Sequence, residues 1–337
     1  MDSITHIVVG ACMGEVLAGR QWGRRALLWG AVAQSLPDAD AVAALWMDLP
    51  HELLAHRGFT HSLLFVLLLT PLLAFLASRW SKRSAPGFTA CCLFFGLELL
   101  VHLFLDGFNN YGTGWLEPFS HHRFSLNTLY VADPLITIWP LLATIVLFVL
   151  PVMYKRRRAI ASCALLLSAT YLAFALFNKW SINRELKQEI AAHYPQTTQY
   201  FSTPAPLNSL LWFVVLGNDS GYYAGYRSVF DPPGPTDLHY FPANHHWLAG
   251  MNEREDLRLL QRFSQGFYTA SKVQDTLLFN DLRFGQVIGW SDPSQPFVFH
   301  YYLEYPTDNE VVVQRGRFAK WDRGVFQSLL RRMAGKK

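Results

Sequence analysis

The stretch HELLAHRGFTHSLLFVLLLTPLLAFLASR, residues 51–79, joins a polar segment to a long apolar one. The apolar part, from Ser62 onward, approaches the roughly 20 residues that an α-helix needs to cross a bilayer. The polar part holds three histidines, a glutamate and an arginine. The stretch therefore predicts a membrane helix that begins at a group of metal-binding and proton-exchanging side chains.

These histidines do not form the zinc-protease motif H-E-x-x-H, in which two ligands four residues apart share one helix face. His56 follows His51 by five positions, which separates the two side chains by roughly 140° around a regular helix. The tighter unit is HRGFTHS, residues 56–62, where Gly58 allows a turn before the apolar helix. We expect Thr60 or Ser62 to cap that helix.

The composition indicates a membrane protein with a second, more polar part. Only 16% of the 337 residues are charged, against about 25% in soluble domains. Long apolar runs are confined to residues 1–178, whereas residues 179–337 have dispersed charge and Pro-Gly turns. We expect an α-helical integral membrane bundle at 1–178 and a small extramembrane α+β domain at 179–337. The net charge of +4 is too small to indicate a nucleic-acid partner.

The apolar runs and basic clusters together predict a topology of about six membrane segments. Four runs are long enough, or nearly so, to span a bilayer, and two shorter ones precede them; in chain order the six are 4–18, 26–36, 62–79, 88–105, 135–153 and 159–177. Every second connection is basic (RQWGRR, RWSKR and YKRRR), as expected of cytoplasmic loops. The remaining connections and the C-terminal domain would then lie on the non-cytoplasmic side of the membrane.

Two helix faces bring polar residues toward that side. In ELLVHLFLDG, the residues Glu98, His102 and Asp106 are four apart and form one stripe. They are either a hydrogen-bonded polar seam between helices or metal ligands with Glu98 one turn deeper. In MDSITH, Asp2 and His6 have the same spacing. Asp2 can equally be a helix cap, with His6 packed at the membrane interface.

Two connections supply further candidates. In LPDAD, a proline ends a helix and Asp38 and Asp40 follow, each of them a possible helix cap or an oxygen ligand. His56 and His61 form the strongest ligand pair, and Arg57 is a candidate for binding an oxyanion or phosphate. A third patch, HHR at 121–123, either faces a substrate or belongs to a solvated loop.

The topology gathers seven imidazoles and carboxylates on one membrane face, and these are the predicted metal ligands: His6, Asp38, Asp40, His56, His61, His102 and Asp106. Mixed nitrogen and oxygen ligation without cysteine is typical of open, hydrolytic sites. It suits zinc, with manganese as an alternative, and the number of ligands allows one or two ions.

The ordered motifs, with HRGFTHS as the clearest of them, resemble those of the YdjM-type (LexA-regulated) family of inner-membrane metal-dependent hydrolases, over roughly residues 1–180. The H-x-x-x-D helix is more distantly similar to zinc-dependent phospholipase C and P1 nuclease. The resemblance implies metal binding and, less directly, hydrolysis.

The residues and the resemblance together favour a membrane-bound metal-dependent hydrolase that acts on a phosphoester by a metal-activated water. Its substrate would be a small molecule or a lipid from the bilayer. Asp38 or Asp40 would orient the water or take its proton, and Arg57 would stabilise charge on the substrate. The rival interpretations are a metal transporter and a non-catalytic membrane scaffold with a structural metal. In the C-terminal domain, residues 281–285 and His245-His246 are either ordinary fold residues or parts that reach the metal site.

Overall fold

The computed structural model describes residues 1–80, 87–251, 253–273, 276–304, 318 and 321–336. The chain divides into two compact units. The first comprises Met1–Leu45 and Ala55–Phe174, and the second comprises Trp46–Leu54 and Ala175–Lys337. The described part of the first unit is helical, whereas both β-sheets belong to the second.

Outside the undescribed residues 81–86, seven α-helices precede the first strand: α1 (Ser3–Trp22), α2 (Arg24–Ser35), α3 (Leu49–Ala55), α4 (Leu63–Trp80), α5 (Phe88–Asp106), α6 (Pro134–Val149) and α7 (Arg157–His193). Two 3-10 helices, Pro37–Leu45 and Phe59–His61, lie between them. The Ser62 side chain accepts a hydrogen bond from the Phe65 backbone N–H at 3.0 Å and so caps α4. Of the two expected caps, Ser62 is therefore the one that the structure uses.

Glycines allow α1 and α2 to pack backbone against backbone. A Cβ atom on Gly14 would collide with the carbonyl oxygen of Ala26, and one on Gly30 would collide with that of Gly10. Close approach through small residues is a common way for helices to associate where lipid removes the hydrophobic driving force. This packing fixes the end of α2 relative to α1, and the candidate site forms at that end.

Within the part of the chain that the structure describes, two helices, α5 and α7, are long and apolar enough to cross a membrane. A third candidate span is the pair Leu49–His61 and Leu63–Arg79, which is bent at the break between them. Helix α6 has 16 residues and is a shorter apolar helix. A helical membrane region with two or three candidate spans is thus present, and the total of about six segments stays a prediction.

A buried ion pair joins α1 to the start of α7. Glu15 accepts hydrogen bonds from Nε and Nη2 of Arg157 at 2.9 and 2.8 Å. Arg157 also donates through Nη1 to the carbonyl oxygen of Leu147, in the last turn of α6, and to that of Leu150, just beyond it. The charge of Glu15 is therefore neutralised inside the bundle.

The described residues of the second unit form seven strands: β1 (Gln199–Pro204), β2 (Leu211–Gly217), β3 (Gly221–Ser228), β4 (Leu238–Pro242), β5 (Tyr268–Val273), β6 (Thr276–Gln286) and β7 (Phe297–Tyr302). They form two antiparallel sheets of order β1-β2-β3-β4 and β5-β6-β7. Strands β2 and β3 form an antiparallel hairpin, paired from Leu211 with Ser228 to Gly217 with Tyr222.

Two hydrophobic cores hold the second unit together. Ile182 and Leu186, from the end of α7, pack against Trp212, Val214 and Leu216 of β2. The alternate residues of β2 belong to a second core that also contains side chains from the other sheet and from α9 (Arg323–Met333). A further helix, α8 (Glu255–Phe263), buries Leu257, Leu260 and Phe263. An α+β domain therefore follows the helical region, as expected.

Candidate metal centre

Four side chains from three separate segments converge where α2 and α5 end. They are Asp38, His61, His102 and Asp106, and one ligand atom of each lies within 4.8 Å of all the others. His61 Nε2 lies 3.3 Å from Asp38 Oδ1, 3.2 Å from Asp106 Oδ2 and 3.1 Å from His102 Nε2. Asp38 is 14% exposed and the other three side chains are fully buried. These four residues are called the metal cluster below.

Local sequence places each member. Pro37 has no N–H and disfavours α-helix in the residue before it, so α2 ends and a 3-10 helix carries Asp38 into the cluster. His102 and Asp106 are four apart in the last turns of α5 and share one face. His61 ends the 3-10 helix that immediately precedes α4.

The Nδ1 atoms of the two cluster histidines are already engaged. His102 Nδ1 lies 2.6 Å from the carbonyl oxygen of Gln34, which can only accept a hydrogen bond. The Thr60 hydroxyl donates to Asp40 at 2.6 Å, so its oxygen is free to accept from His61 Nδ1 at 3.0 Å. Both Nδ1 atoms therefore carry protons in the neutral rings, and both Nε2 atoms present lone pairs to the cluster.

His6 adds a third imidazole at the edge of the cluster. Its Nδ1 lies 3.3 Å from Oε1 of Gln34, and its Nε2 lies 3.2 Å from Oδ1 of Asp106. Its ring stacks on His102 with the centroids 3.9 Å apart. The sequence predicts that α1 contributes a histidine to this region, and His6 lies there, beside Asp106.

The cluster holds more acceptors than donors. Both carboxylate oxygens of Asp38, and Oδ2 of Asp106, make no hydrogen bond within the described residues. Burial raises the pKa of Asp38, but the His61 and His102 imidazoles and the Met1 amino group outweigh it and hold that pKa well below its usual range. Asp38 is therefore a carboxylate at neutral pH. The Met1 amino group also contacts Asp106.

This donor set fits a divalent cation. Imidazole nitrogens and carboxylate oxygens that all lie within 4.8 Å of one another suit zinc or manganese. Buried carboxylate oxygens without donors would otherwise cost several kcal/mol of desolvation, and a cation at their centre removes that cost. The residues that could hold it are the four of the metal cluster, with His6 beside them.

Asp40 and His56, both predicted ligands, lie next to the cluster rather than within the group of four. Oδ1 of Asp40 lies 2.8 Å from His56 Nδ1, and Oδ2 accepts from the Arg57 backbone N–H and the Thr60 hydroxyl. Burial raises the pKa of Asp40, but the neighbouring imidazoles of His56 and His61 outweigh burial and hold that pKa well below its usual range. In this geometry, Asp40 orients the HRGFTHS segment.

Arg57 is held in an uncommon backbone conformation beside the cluster. Its φ is +61°, a left-handed value that costs a non-glycine residue about 1 kcal/mol or more. The buried guanidinium has Nε 3.2 Å from Asp106 Oδ2, donates through Nη2 to the Met1 carbonyl oxygen, and lies 5.0 Å from the Tyr111 ring centroid. Nη1 has no hydrogen-bond partner in the described part of the chain. A positive charge with a spare donor thus faces the site.

The loop after α5 fixes the HRGFTHS segment in place. The backbone N–H of Gly114 donates to the Arg57 carbonyl oxygen at 2.8 Å, and Nη2 of Arg123 donates to the His56 carbonyl oxygen at 3.0 Å. Of the patch at 121–123, His121 is exposed and interacts with Glu117, whereas Arg123 is buried. Arg123 therefore supports the loop structurally.

The remaining candidates have other surroundings. Asp2 caps α1 by accepting from the backbone N–H of Thr5, and it also accepts from the Thr5 hydroxyl. Glu98 is fully buried one turn below His102. In the second unit, Asp281 and Arg283 form a buried ion pair with each other at 2.6 Å, so these two side chains are engaged within the fold of that unit.

Sequence reasoning did not assign Gln34 to the site, although its side chain contacts His6 and its carbonyl oxygen contacts His102. The available signal was its position: a buried polar residue in the last turn of α2, just before the LPDAD motif. Glutamine is not among the usual zinc ligands, so only the contacts reveal its place.

The helical N-terminal part of the chain is similar to known proteins. The model of the YdjM inner membrane protein family matches residues 1–182, which include the whole metal cluster. Over 123 residues the chain is 37% identical to the inner membrane protein YbcI of Escherichia coli (strain K12), a match that covers 36% of this chain and 69% of YbcI. It is 30% identical over 145 residues to the uncharacterized protein YfhP of Bacillus subtilis (strain 168), covering 41% of this chain and 43% of YfhP.

No solved structure matches the chain significantly. The family match covers more than half of the 337 residues and contains every member of the metal cluster. The chain therefore belongs to the YdjM inner membrane protein family.

Proposed function

We propose that this chain is a membrane-bound, metal-dependent hydrolase that acts on a phosphoester, with a lipid or a lipid-linked molecule as its substrate. The observation that carries the proposal is the buried metal cluster with carboxylate oxygens that lack donors, next to an arginine with an unpartnered N–H group. Such a pairing of a cation site with a fixed positive charge suits an oxyanion that carries negative charge on several oxygens.

The metal we propose is zinc, as one ion or two, with manganese as the alternative. When bound, a divalent cation would polarise a phosphoryl oxygen and make a coordinated water more acidic. The three Nε2 lone pairs and the carboxylates of the cluster supply its ligands. A closed structural zinc site would use four protein ligands, often cysteines, whereas the 14% exposure of Asp38 leaves one side of this group accessible.

The chain's own residues divide the remaining tasks. Asp38, with both oxygens free of hydrogen bonds, can accept a proton from an attacking water. Arg57 can donate to a non-bridging phosphoryl oxygen and offset charge in the transition state. Asp40 already accepts hydrogen bonds from backbone and side-chain donors, so it positions His56 and the Arg57 backbone and is the weaker candidate for a general base.

A lipid substrate is supported by the surroundings of the site. The segments that carry Asp38 and His61 also expose the apolar side chains of Val42, Leu45 and Phe59. The family and YbcI are described as inner membrane proteins. We place the site at the non-cytoplasmic face of the inner membrane because the basic loops alternate with the loops that form the cluster.

Hydrolysis fits the buried polar groups better than metal transport. An ion path would need free polar side chains through the bundle. Glu15, at the opposite end of α1 from His6, is neutralised by Arg157 and is unavailable to a passing cation. Among the described residues, the buried carboxylate oxygens without a hydrogen bond belong to Asp38, Asp106 and, one turn below His102, Glu98. This concentration at one end of the bundle favours a reaction centre over a pathway.

The proposal can be tested on full-length protein in lipid nanodiscs loaded with zinc or manganese. We expect metal-dependent release of phosphate or of a phosphorylated headgroup from a panel of phospholipids and of a chromogenic phosphodiester. Asp38→Asn should remove this activity. Absence of hydrolysis of every phosphoester by fully metal-loaded protein would contradict the proposal.

A further inference from the structure

Gln34 contacts two of the three histidines near the metal cluster through two different groups. Its backbone carbonyl oxygen lies 2.6 Å from Nδ1 of His102, and its side-chain Oε1 lies 3.3 Å from Nδ1 of His6. The residue is fully buried. One residue therefore faces the non-ligating side of both rings.

The end of α2 makes the carbonyl available. The last four carbonyl groups of an α-helix lack intrahelical donors, and α2 ends at Ser35, directly after Gln34. The carbonyl oxygen of Gln34 is thus free to accept the proton of His102. The proline of LPDAD fixes where this happens, since it stops α2 at this turn.

Glycines shape the space for the Gln34 side chain. A Cβ atom on Gly10 would lie 2.6 Å from Gln34 Cγ, and one on Gly30 would lie 2.9 Å from Glu98 Oε1. The Gln34 amide has Nε2 3.6 Å from Met13 Sδ, and its Oε1 faces Nδ1 of His6.

The amide orientation decides which nitrogen of His6 can bind a cation. With Oε1 toward the ring, Nδ1 carries the proton and Nε2 presents its lone pair to Asp106. With the amide reversed, Nδ1 would accept a hydrogen bond and Nε2 would carry the proton.

We propose that Gln34 is a positioning residue that sets the tautomers of His6 and His102 and turns their Nε2 lone pairs toward the metal. This inference rests on the metal site of the proposed function but not on the reaction. Partners of this kind that orient ligand imidazoles typically change metal affinity by about 10–100-fold when they are removed.

The structure predicts a difference between the two histidines. Gln34→Leu removes the acceptor of His6 but leaves the backbone acceptor of His102. Gln34→Glu keeps an acceptor oxygen at the same distance along the side chain. Met13→Leu, which removes only the weak Nε2 contact with sulfur, is the matched control.

Zinc affinity by competition with a chelator, and ¹⁵N chemical shifts of histidine rings in the metal-free protein, should be measured in nanodiscs. We expect Gln34→Leu to weaken zinc binding about 10–100-fold and to shift His6, but not His102, away from the Nδ1–H tautomer. Gln34→Glu should restore both, and Met13→Leu should resemble the parent chain.

Wild-type affinity and an unchanged His6 tautomer in folded Gln34→Leu would overturn the inference. So would equal shifts at His6 and His102, because these would indicate a general loss of structure. Neither zinc affinity nor the histidine tautomer depends on hydrolysis. The proposed reaction can therefore fail while this inference holds, and this inference can fail while the reaction is confirmed.

Discussion

The Nε2 atoms of His61 and His102 lie 3.1 Å apart, although the Nδ1 atom of each ring is engaged with another acceptor. Two neutral imidazoles in these tautomers cannot hydrogen-bond to each other, because both facing nitrogens are acceptors. Asp38 and Asp106 bring carboxylate oxygens to within 3.8 Å of the same nitrogens. A shared cation explains this arrangement without leaving opposed lone pairs.

Arg57 should affect turnover far more than metal content. Arg57→Lys keeps a positive charge but loses the planar fork and its spare donor. We expect kcat/KM for a phosphodiester to fall about 10²–10³-fold, with bound metal nearly unchanged. The matched control is Arg24→Lys, on an exposed arginine at the start of α2. A variant that loses metal and activity in parallel would show instead that Arg57 only supports the cluster.

Gly14 should be more sensitive to a methyl group than Gly96. A Cβ atom on Gly14 would collide with the backbone of α2, whereas one on Gly96 would meet the Thr70 side chain at an ordinary 3.6 Å. Overpacking of this kind costs about 1–3 kcal/mol. We expect Gly14→Ala to lower the thermal unfolding midpoint in detergent and Gly96→Ala to leave it unchanged or raise it. Equal midpoints for the two variants would argue against the close packing of α1 and α2.

The ion pair of Glu15 and Arg157 should show strong coupling. Arg157→Met leaves a buried carboxylate without its partner, which typically costs about 3–5 kcal/mol. Adding Glu15→Leu removes the stranded charge, so the double variant should regain most of that stability. Arg158→Met, at an exposed neighbouring position, is the control. Chemical denaturation in mixed micelles measures the cycle, and additive effects of the two substitutions would contradict a direct pair.

Labelling in intact cells tests the proposed orientation. His121→Cys and Lys155→Cys introduce thiols at exposed positions in two different loops, in a background where the exposed Cys163 is replaced by serine. We expect a membrane-impermeant maleimide to label position 121 from outside, and position 155 only after permeabilisation. The opposite pattern would place the metal cluster at the cytoplasmic face.

Much of the site was predictable from residue type and spacing. The four-residue interval between His102 and Asp106, and the proline before Asp38, determine which side chains meet at the helix ends. HRGFTHS marked His61 and Arg57 by its composition. These are local features, so a sequence pattern contains them.

Other features depend on which groups compete for a given atom. Asp40 looked equivalent to Asp38, but backbone and hydroxyl donors from the HRGFTHS segment already occupy it. Gln34 acts partly through its carbonyl oxygen, which residue type does not reveal. We expect the special backbone conformation of HRGFTHS at Gly58, but the residue with the left-handed φ is Arg57, which lies beside the cluster. Span number depends on bends and helix lengths that apolar runs do not define.

Metal content is the most direct test of the central claim. Elemental analysis of purified wild-type protein, His61→Ala, His102→Ala and the control His121→Ala should be compared at equal protein concentration. We expect at least one equivalent of zinc or manganese in the wild type and the control, and almost none in the two cluster variants. Full metal content in both His61→Ala and His102→Ala, or no metal in a folded wild type supplied with both ions, would contradict the cluster as a metal centre.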